Sequence, residues 1–366
     1  MKHAVNMSLS ALLLVLLGCS SSDKPANGEA SNGVKMNGTC PTNSGFAGDD
    51  MCLPPPDPSE GFQLHYGPSD YSNPDEVAKF VLHPGQETND CFFQLSGNTT
   101  DQYYSGVDFQ MRPGSHHLIG QSRPEHVPTQ GFADCGPNDG IPAGLFAGSQ
   151  VPKFDDRTGQ APENAGFARL VPAQTQAVIN FHVINATNED TLREAWLNYY
   201  YIPADQVKAQ PGAIDLNGGL GYYIEPGVHK TYPFSCSPPE KVRILNLGTH
   251  MHAHAKRMTI YKVSGGTQTK VLEGYSWEDP TYLYYDTIHQ NTPADPTTQT
   301  PGGDFSGDLY LDTTDTLQWE CEVDNTSSNV LTFRNEVNTG EMCLVTGSVV
   351  SATDPTKVVD FVCNRN

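Results

Sequence analysis

Glycine and proline break this chain into short pieces along most of its length, and that punctuation limits the folds open to it. The 366 residues include 34 Gly and 28 Pro. They meet at His83-Pro84-Gly85, Arg112-Pro113-Gly114, Gln210-Pro211-Gly212, Glu225-Pro226-Gly227 and Pro301-Gly302-Gly303. Glycine frees the backbone for turns, and proline removes an amide that a helix or a central strand needs, so no long regular element runs through these points. Between them lie runs rich in β-branched and aromatic residues, at 177–184, 195–202, 242–247, 257–263, 315–323 and 330–333. Such runs read as short strands. The expectation is an all-β chain of two consecutive antiparallel β-sandwich, jelly-roll-like domains. Helix is limited to a turn or two at Asp75 to Leu82 and at Glu189 to Ala195.

The N-terminus carries an apolar run from Ala11 to Leu17, too short to span a membrane, ending at Gly18-Cys19. Leu16-Leu17-Gly18-Cys19 resembles a bacterial lipobox, which would place a lipid on Cys19; an ordinary secretory signal with an incidental cysteine would give the same export. Ser20 after the cysteine favours outer-membrane sorting, by resemblance to bacterial lipoproteins. From Lys24 to about Gly45 the chain is rich in Ser, Asn, Gly and Pro with almost no apolar residues, a composition that cannot bury a core and suits a tether. The expected division is a signal at 1–19, a tether at 20–53, a first sandwich at 54–210 and a second at 211–366. The last boundary falls in the Gly-rich stretch from Gln206 to Gly221. A formal charge of -21 argues against a nucleic-acid partner, whose phosphates it would repel.

Nine cysteines are present, and assigning Cys19 to lipid leaves Cys40, Cys52, Cys91, Cys135, Cys236, Cys321, Cys343 and Cys363. An even number in an exported chain reads as disulfides, with 105 pairings open for eight. No CxxC spacing points to a thiolate zinc site.

Six residues read as two copper sites, one per domain: His116, His117 and His182, then His250, His252 and Met342. A thioether is a poor ligand for zinc, magnesium or calcium and a good one for copper(I), so two imidazoles with one methionine point to redox use of copper. On a strand, residues two apart share a face, so His250, His252 and His254 are expected to project to the same side. His116 and His117 are adjacent, and neighbours on a regular strand point to opposite faces. They can share a metal only at a strand end or a bulge, for which Pro113 and Gly114 supply irregular backbone. Taken singly, each feature also suits a structural histidine or a core methionine. His65, His83, His126, His229 and His289 read as surface or structural, and Tyr199 to Tyr201 and Trp319 as strand and core residues. A cleft between the two halves is the expected working site.

The order of these groups resembles the copper type II, ascorbate-dependent monooxygenases, the family of peptidylglycine alpha-hydroxylating monooxygenase and dopamine beta-monooxygenase. Their shared pattern is a His-His pair, a single strand His, a His-x-His and an acidic-Met-Cys motif, here Gly340-Glu341-Met342-Cys343. Glu87-Thr88-Asn89-Asp90-Cys91 is similar to a further family segment, and the resemblance runs from about Phe62 to Cys363. It implies two copper ions per chain, an electron-donating one on His116, His117 and His182 and an oxygen-activating one on His250, His252 and Met342. It also implies O2, a small organic substrate and ascorbate or another reductant as partners. The disulfides it implies are Cys40 with Cys52, Cys91 with Cys135, Cys236 with Cys363 and Cys321 with Cys343. The chain departs from the peptide-amidating relatives where they hold a substrate carboxylate, with Gly248, Leu344 and Thr346 in place of Arg, Asn and Tyr. Asn180 matches a polar family position, and His254 is an added histidine. A non-catalytic lipoprotein that sequesters or delivers copper would use the same ligands.

Overall fold

Alternation of apolar and polar residues builds the strands, most plainly in Thr316–Asp324, where Leu317, Trp319, Cys321 and Val323 are buried and their neighbours are not. The computed structural model describes residues 40, 43–123, 130–135, 145–156, 158–218, 223–303, 307–334, 336–337 and 339–363. The signal expected at 1–19, Cys19, most of the tether expected at 20–53, and His126 lie outside the described residues.

The first half folds as two five-stranded sheets. One runs Gly61–Tyr66, Ala195–Ile202, Gln102–Met111, Lys153–Asp156, with Arg169–Val171 also on Gln102–Met111. The other runs Gly131–Ala133, Glu87–Leu95, Gln176–Ile184, Ser115–Ser122, Leu145–Ser149. Leu64, Phe109 and Leu197 of the first sheet pack with Leu118, Ile179 and Phe181 of the second. In the second half a sheet running Tyr282–Tyr284, Val242–Met251, Cys343–Ser351, Gly212–Asn217, Phe361–Cys363 also carries Leu309–Leu311 on Val242–Met251. It faces a four-stranded sheet of His229–Cys236, Thr316–Asp324, Ala255–Ser264 and Thr267–Gly274. Leu247, Met251 and Val345 meet Ile260, Trp319 and Val323 between them. The all-β reading of two sandwiches holds, and Tyr199, Tyr200 and Trp319 are buried as expected.

The four disulfides are those the resemblance implied: Cys40–Cys52, Cys91–Cys135, Cys236–Cys363 and Cys321–Cys343. Cys321 and Cys343 belong to facing sheets, so their bond ties the second sandwich through its core, and Trp319 Nε1 donates to Cys343 O at 3.1 Å.

One expected helix is only partly realised. Pro74–Val77 makes a single turn, capped by the Asn73 side chain, and a 3-10 turn follows at Ala78–Phe80. Glu189 to Ala195 makes none: Thr191–Leu192 pairs with Val81–Leu82, and Asn185 Nδ2 donates to both Leu82 O and Glu189 O, so the backbone is held extended.

The segment leading into the first domain is fastened by a buried cation. Arg112, 1% exposed, donates through Nε to Glu194 at 2.6 Å, through Nη2 to Asp49 at 2.9 Å and through Nη1 to Ala47 O at 3.0 Å. Glu194, 0% exposed, also takes His65 Nε2 at 2.8 Å and the Tyr71 hydroxyl. Arg112 stands immediately before Pro113 and Gly114, so the same residue fixes the entry to the strand that carries His116 and His117.

Candidate metal centre

Ser115–Ser122 begins after Gly114, whose φ of 91° suits glycine, and where a Cβ would lie 2.9 Å from Ile184 O. His182 pairs with His117 and Val183 with Ser115, so His116 is the extra residue of a β-bulge. The bulge does what a regular strand cannot. Both adjacent histidines reach the His182 ring, at centroid separations of 5.1 and 5.0 Å, and stand 5.0 Å from each other.

Val242–Met251 carries His250 as its penultimate residue, and His252 lies just past its end, 5.3 Å away ring to ring. The strand does not continue to His254, which sits in the turn before Ala255–Ser264. The cause is Glu341. Its buried carboxylate accepts from the backbone N–H of His252 at 2.8 Å, Met342 at 3.0 Å and His254 at 3.2 Å, folding the chain around itself. Burial pushes Glu341 up to about 7, with the amide donors pulling the other way. One carboxylate thereby joins the backbone of buried Met342 to that of His252, although the two are far apart in sequence.

The two histidine sets assigned to separate domains are in contact. The His116 ring lies 5.7 Å from His250 and 5.6 Å from His252, and His117 lies 5.6 Å from His250. His116, His117 and His182 present ligand nitrogens within 4.8 Å of one another, and so do His116, His250 and His252. His116 belongs to both groups, and the cluster lies where the domains meet. Trp277 of the second domain stands 5.4 Å from the His116 ring, a neighbour the sequence did not indicate.

Electrostatics keeps these rings neutral. Burial, reinforced by neighbouring imidazoles, lowers His116 to about 2 and His252 to about 3, and holds His117 and His250 well below the ordinary value. His182 is lowered by burial against the opposing pull of Glu87. Its Nε2 lies 2.8 Å from Glu87 Oε1, and since a carboxylate only accepts, Nε2 carries the proton and Nδ1 keeps its lone pair. Glu87 Oε1 also accepts from Val337 N–H of the second domain at 3.2 Å. His116 Nε2, His117 Nδ1, His182 Nδ1, His250 Nε2 and both His252 nitrogens are buried without a hydrogen-bond partner. Buried polar atoms left unpaired cost stability, and neutral imidazoles with free lone pairs are what a metal ion takes. The residues present therefore fit a metal.

Four other described histidines pair with carboxylates elsewhere: His65 with Glu194, His83 with Asp190, His229 with Glu322 and His289 with Asp286. Asn180 turns to the Cys91–Cys135 bond, its Nδ2 3.6 and 3.5 Å from the two sulfurs. Above Gly248 the Tyr282 ring fills the space, 2.7 Å from where a Cβ would be. Along the same row of the sheet Gly248 pairs with Thr346, and Thr346 with Asp215, which is 9% exposed.

Burial raises Asp215 from its ordinary 3.8 to about 6. Its folded value exceeds its unfolded one, so its ionised form opposes folding, and stability is lost as pH rises from 3.8 through about 6. Asp215→Asn should be more stable than the parent by about 3 kcal/mol at pH 7 and equal to it at pH 3.5. Urea unfolding at the two pH values measures this; equal stability at pH 7 would refute it.

No family model matches the chain, and no curated protein does. Among solved structures it is similar to the STIV MCP, at 8% identity and a TM-score of 0.28, over 75% of this chain and 94% of that one. It is similar also to the major capsid protein P2 from Bacteriophage PM2, at 10% identity and a TM-score of 0.27, over 74% and 100%. Likeness at this level carries no functional meaning.

Proposed function

We propose that the protein is a copper-dependent monooxygenase. It hydroxylates a C–H bond of a small organic substrate, using O2 and a reductant such as ascorbate, and is exported and held to the bacterial outer membrane by lipid on Cys19. One oxygen atom enters the C–H bond and the other leaves as water, with two electrons and two protons from the reductant. The observation that carries this reading is the set of buried, neutral imidazoles with unpartnered nitrogens, with Met342 fastened beside His252 through Glu341. Copper on His250, His252 and Met342 would supply the redox chemistry with oxygen, and copper on His116, His117 and His182 the second electron.

The chain's own residues do the positioning. Glu87 fixes the His182 tautomer, Glu341 sets the turn that presents His252, and the Cys321–Cys343 bond restrains the segment next to Met342. Burial of the rings keeps bulk water from them. With Gly248 and the Tyr282 ring where the amidating relatives carry a cation, a carboxylate substrate finds no partner there.

Copper per chain is the direct test, on the soluble form that starts after Cys19, with Met342→Ile and His182→Ala alongside. Two ions in the parent are expected, with each variant weakening one site, and Met342→Ile should end hydroxylation followed with labelled oxygen. No specific copper would sink the reading, and two coppers without labelled product would favour the non-catalytic copper lipoprotein.

A further inference from the structure

We infer that His116 of the first domain, together with His250 and His252 of the second, forms a metal site that spans the domain boundary, so that metal loading latches the two sandwiches together. This rests on the reading of these histidines as metal ligands but not on any redox use of the metal. The three nitrogens already lie within 4.8 Å of one another and all three rings are buried. His116 Nε2, His250 Nε2 and both nitrogens of His252 lack partners, so each ring has a lone pair to give.

The rest of the boundary gives such a latch something to do. Arg169 Nη2 reaches Ser348 Oγ at 3.2 Å and Gly212 O at 3.4 Å, and Arg243 Nη1 reaches Asn164 at 3.0 Å. Glu163 accepts from Thr287 N at 2.5 Å and from its hydroxyl at 3.0 Å, in an exposed place. Among the described residues the apolar contacts on that side are a small cluster of Phe167 with Ala209, Leu245 and Val350, and the Phe154 ring 6.0 Å from that of Tyr282. Polar contacts around a small apolar patch are the mark of domains that separate readily. An ion held by rings from both sides is bound fully only while they are closed, so it shifts that equilibrium by its own binding energy.

His116 also belongs to the set with His117 and His182. One nitrogen lone pair holds one ion, so an ion in the cross-boundary set draws His116 away from its strand partners. His116 and His117, adjacent in sequence, thus differ in role: both serve the first-domain set, and His116 alone serves the latch.

Zinc(II), which has no redox chemistry, separates the latch from catalysis. Hydrogen exchange would be followed at the Val337 and Thr287 amides, both of which donate across the boundary. With zinc at about 100 times its Kd, their exchange through domain opening should slow about 100-fold in the mature full chain. His116→Ala should abolish the slowing, and His117→Ala should keep it. Bound zinc with no slowing, or equal loss in the two variants, would overturn the latch and leave the copper reading standing. No zinc binding at all would also overturn the latch, and copper per chain, measured separately, decides the copper reading.

Discussion

Replacing Arg112 with alanine should cost about 3–5 kcal/mol, because it strands a carboxylate that has no access to water. Glu194 is fully buried and depends on the guanidinium for charge balance, while Asp49 and Ala47 lose the donors that hold 43–52 against the domain. The loss reflects an unpaired buried charge more than a missing contact, so a second substitution should reverse much of it. Arg112→Met with Glu194→Leu removes both charges and fills their space, and should recover most of the stability. Urea unfolding at pH 7 with the disulfides intact measures both proteins. A loss under about 1 kcal/mol in Arg112→Ala would mean that the pair is screened in solution and that the network is not the fastening.

Acid should destabilise the metal-free protein steeply, starting near pH 6.5. Burial holds His116 and His252 neutral down to about 2 and 3, and holds His117 and His250 well below the ordinary 6.5. Below pH 6.5 the unfolded chain binds protons that the folded one refuses, so stability falls with pH, from complete above the unfolded value towards its loss at the folded values. His116 and His252 alone correspond to about 2 kcal/mol between pH 6.5 and 5.5, and His117 and His250 act in the same direction. Unfolding midpoints at pH 7.5, 6.5 and 5.5, with proton uptake by calorimetry, report the effect. Copper-loaded protein should hold its stability to lower pH, since an occupied nitrogen takes a proton only by releasing its ion. A flat profile in the metal-free protein would mean that the rings are hydrated and take up protons in the fold as readily as in the unfolded chain.

The sandwich class was legible because runs of β-branched and aromatic residues between turn signals read as strands, and 195–202 coincides with the strand Ala195–Ile202. Glu189 to Ala195 was not legible as a strand, because its extended form comes from Asn185 and from pairing with Val81–Leu82, neither of them local. The need for irregular backbone at His116 and His117 could be read from strand geometry, and the bulge supplies it. That His116 would touch both histidine sets could not, since it depends on how the sandwiches meet. Glu87 and Glu341 were visible only as letters in a motif; that each holds a histidine from a distance is a property of the fold. Trp277 left no sequence signal.

The strand order carries a consequence for biogenesis. Ala195–Ile202, the last long strand of the first domain, lies between Gly61–Tyr66 and Gln102–Met111. Gly212–Asn217 opens the second domain but lies between Cys343–Ser351 and Phe361–Cys363, both from the end of the chain. A chain emerging N-terminus first therefore cannot complete either main sheet until its closing strands arrive, and long-range pairing of this kind folds slowly. Cys236 waits for Cys363 in the same way, so the second sandwich is sealed last. A nascent chain stopped before Cys343 would present the apolar edge of Val242–Met251 to chaperones and proteases, with half of its histidine cluster already in place and nothing to hold it.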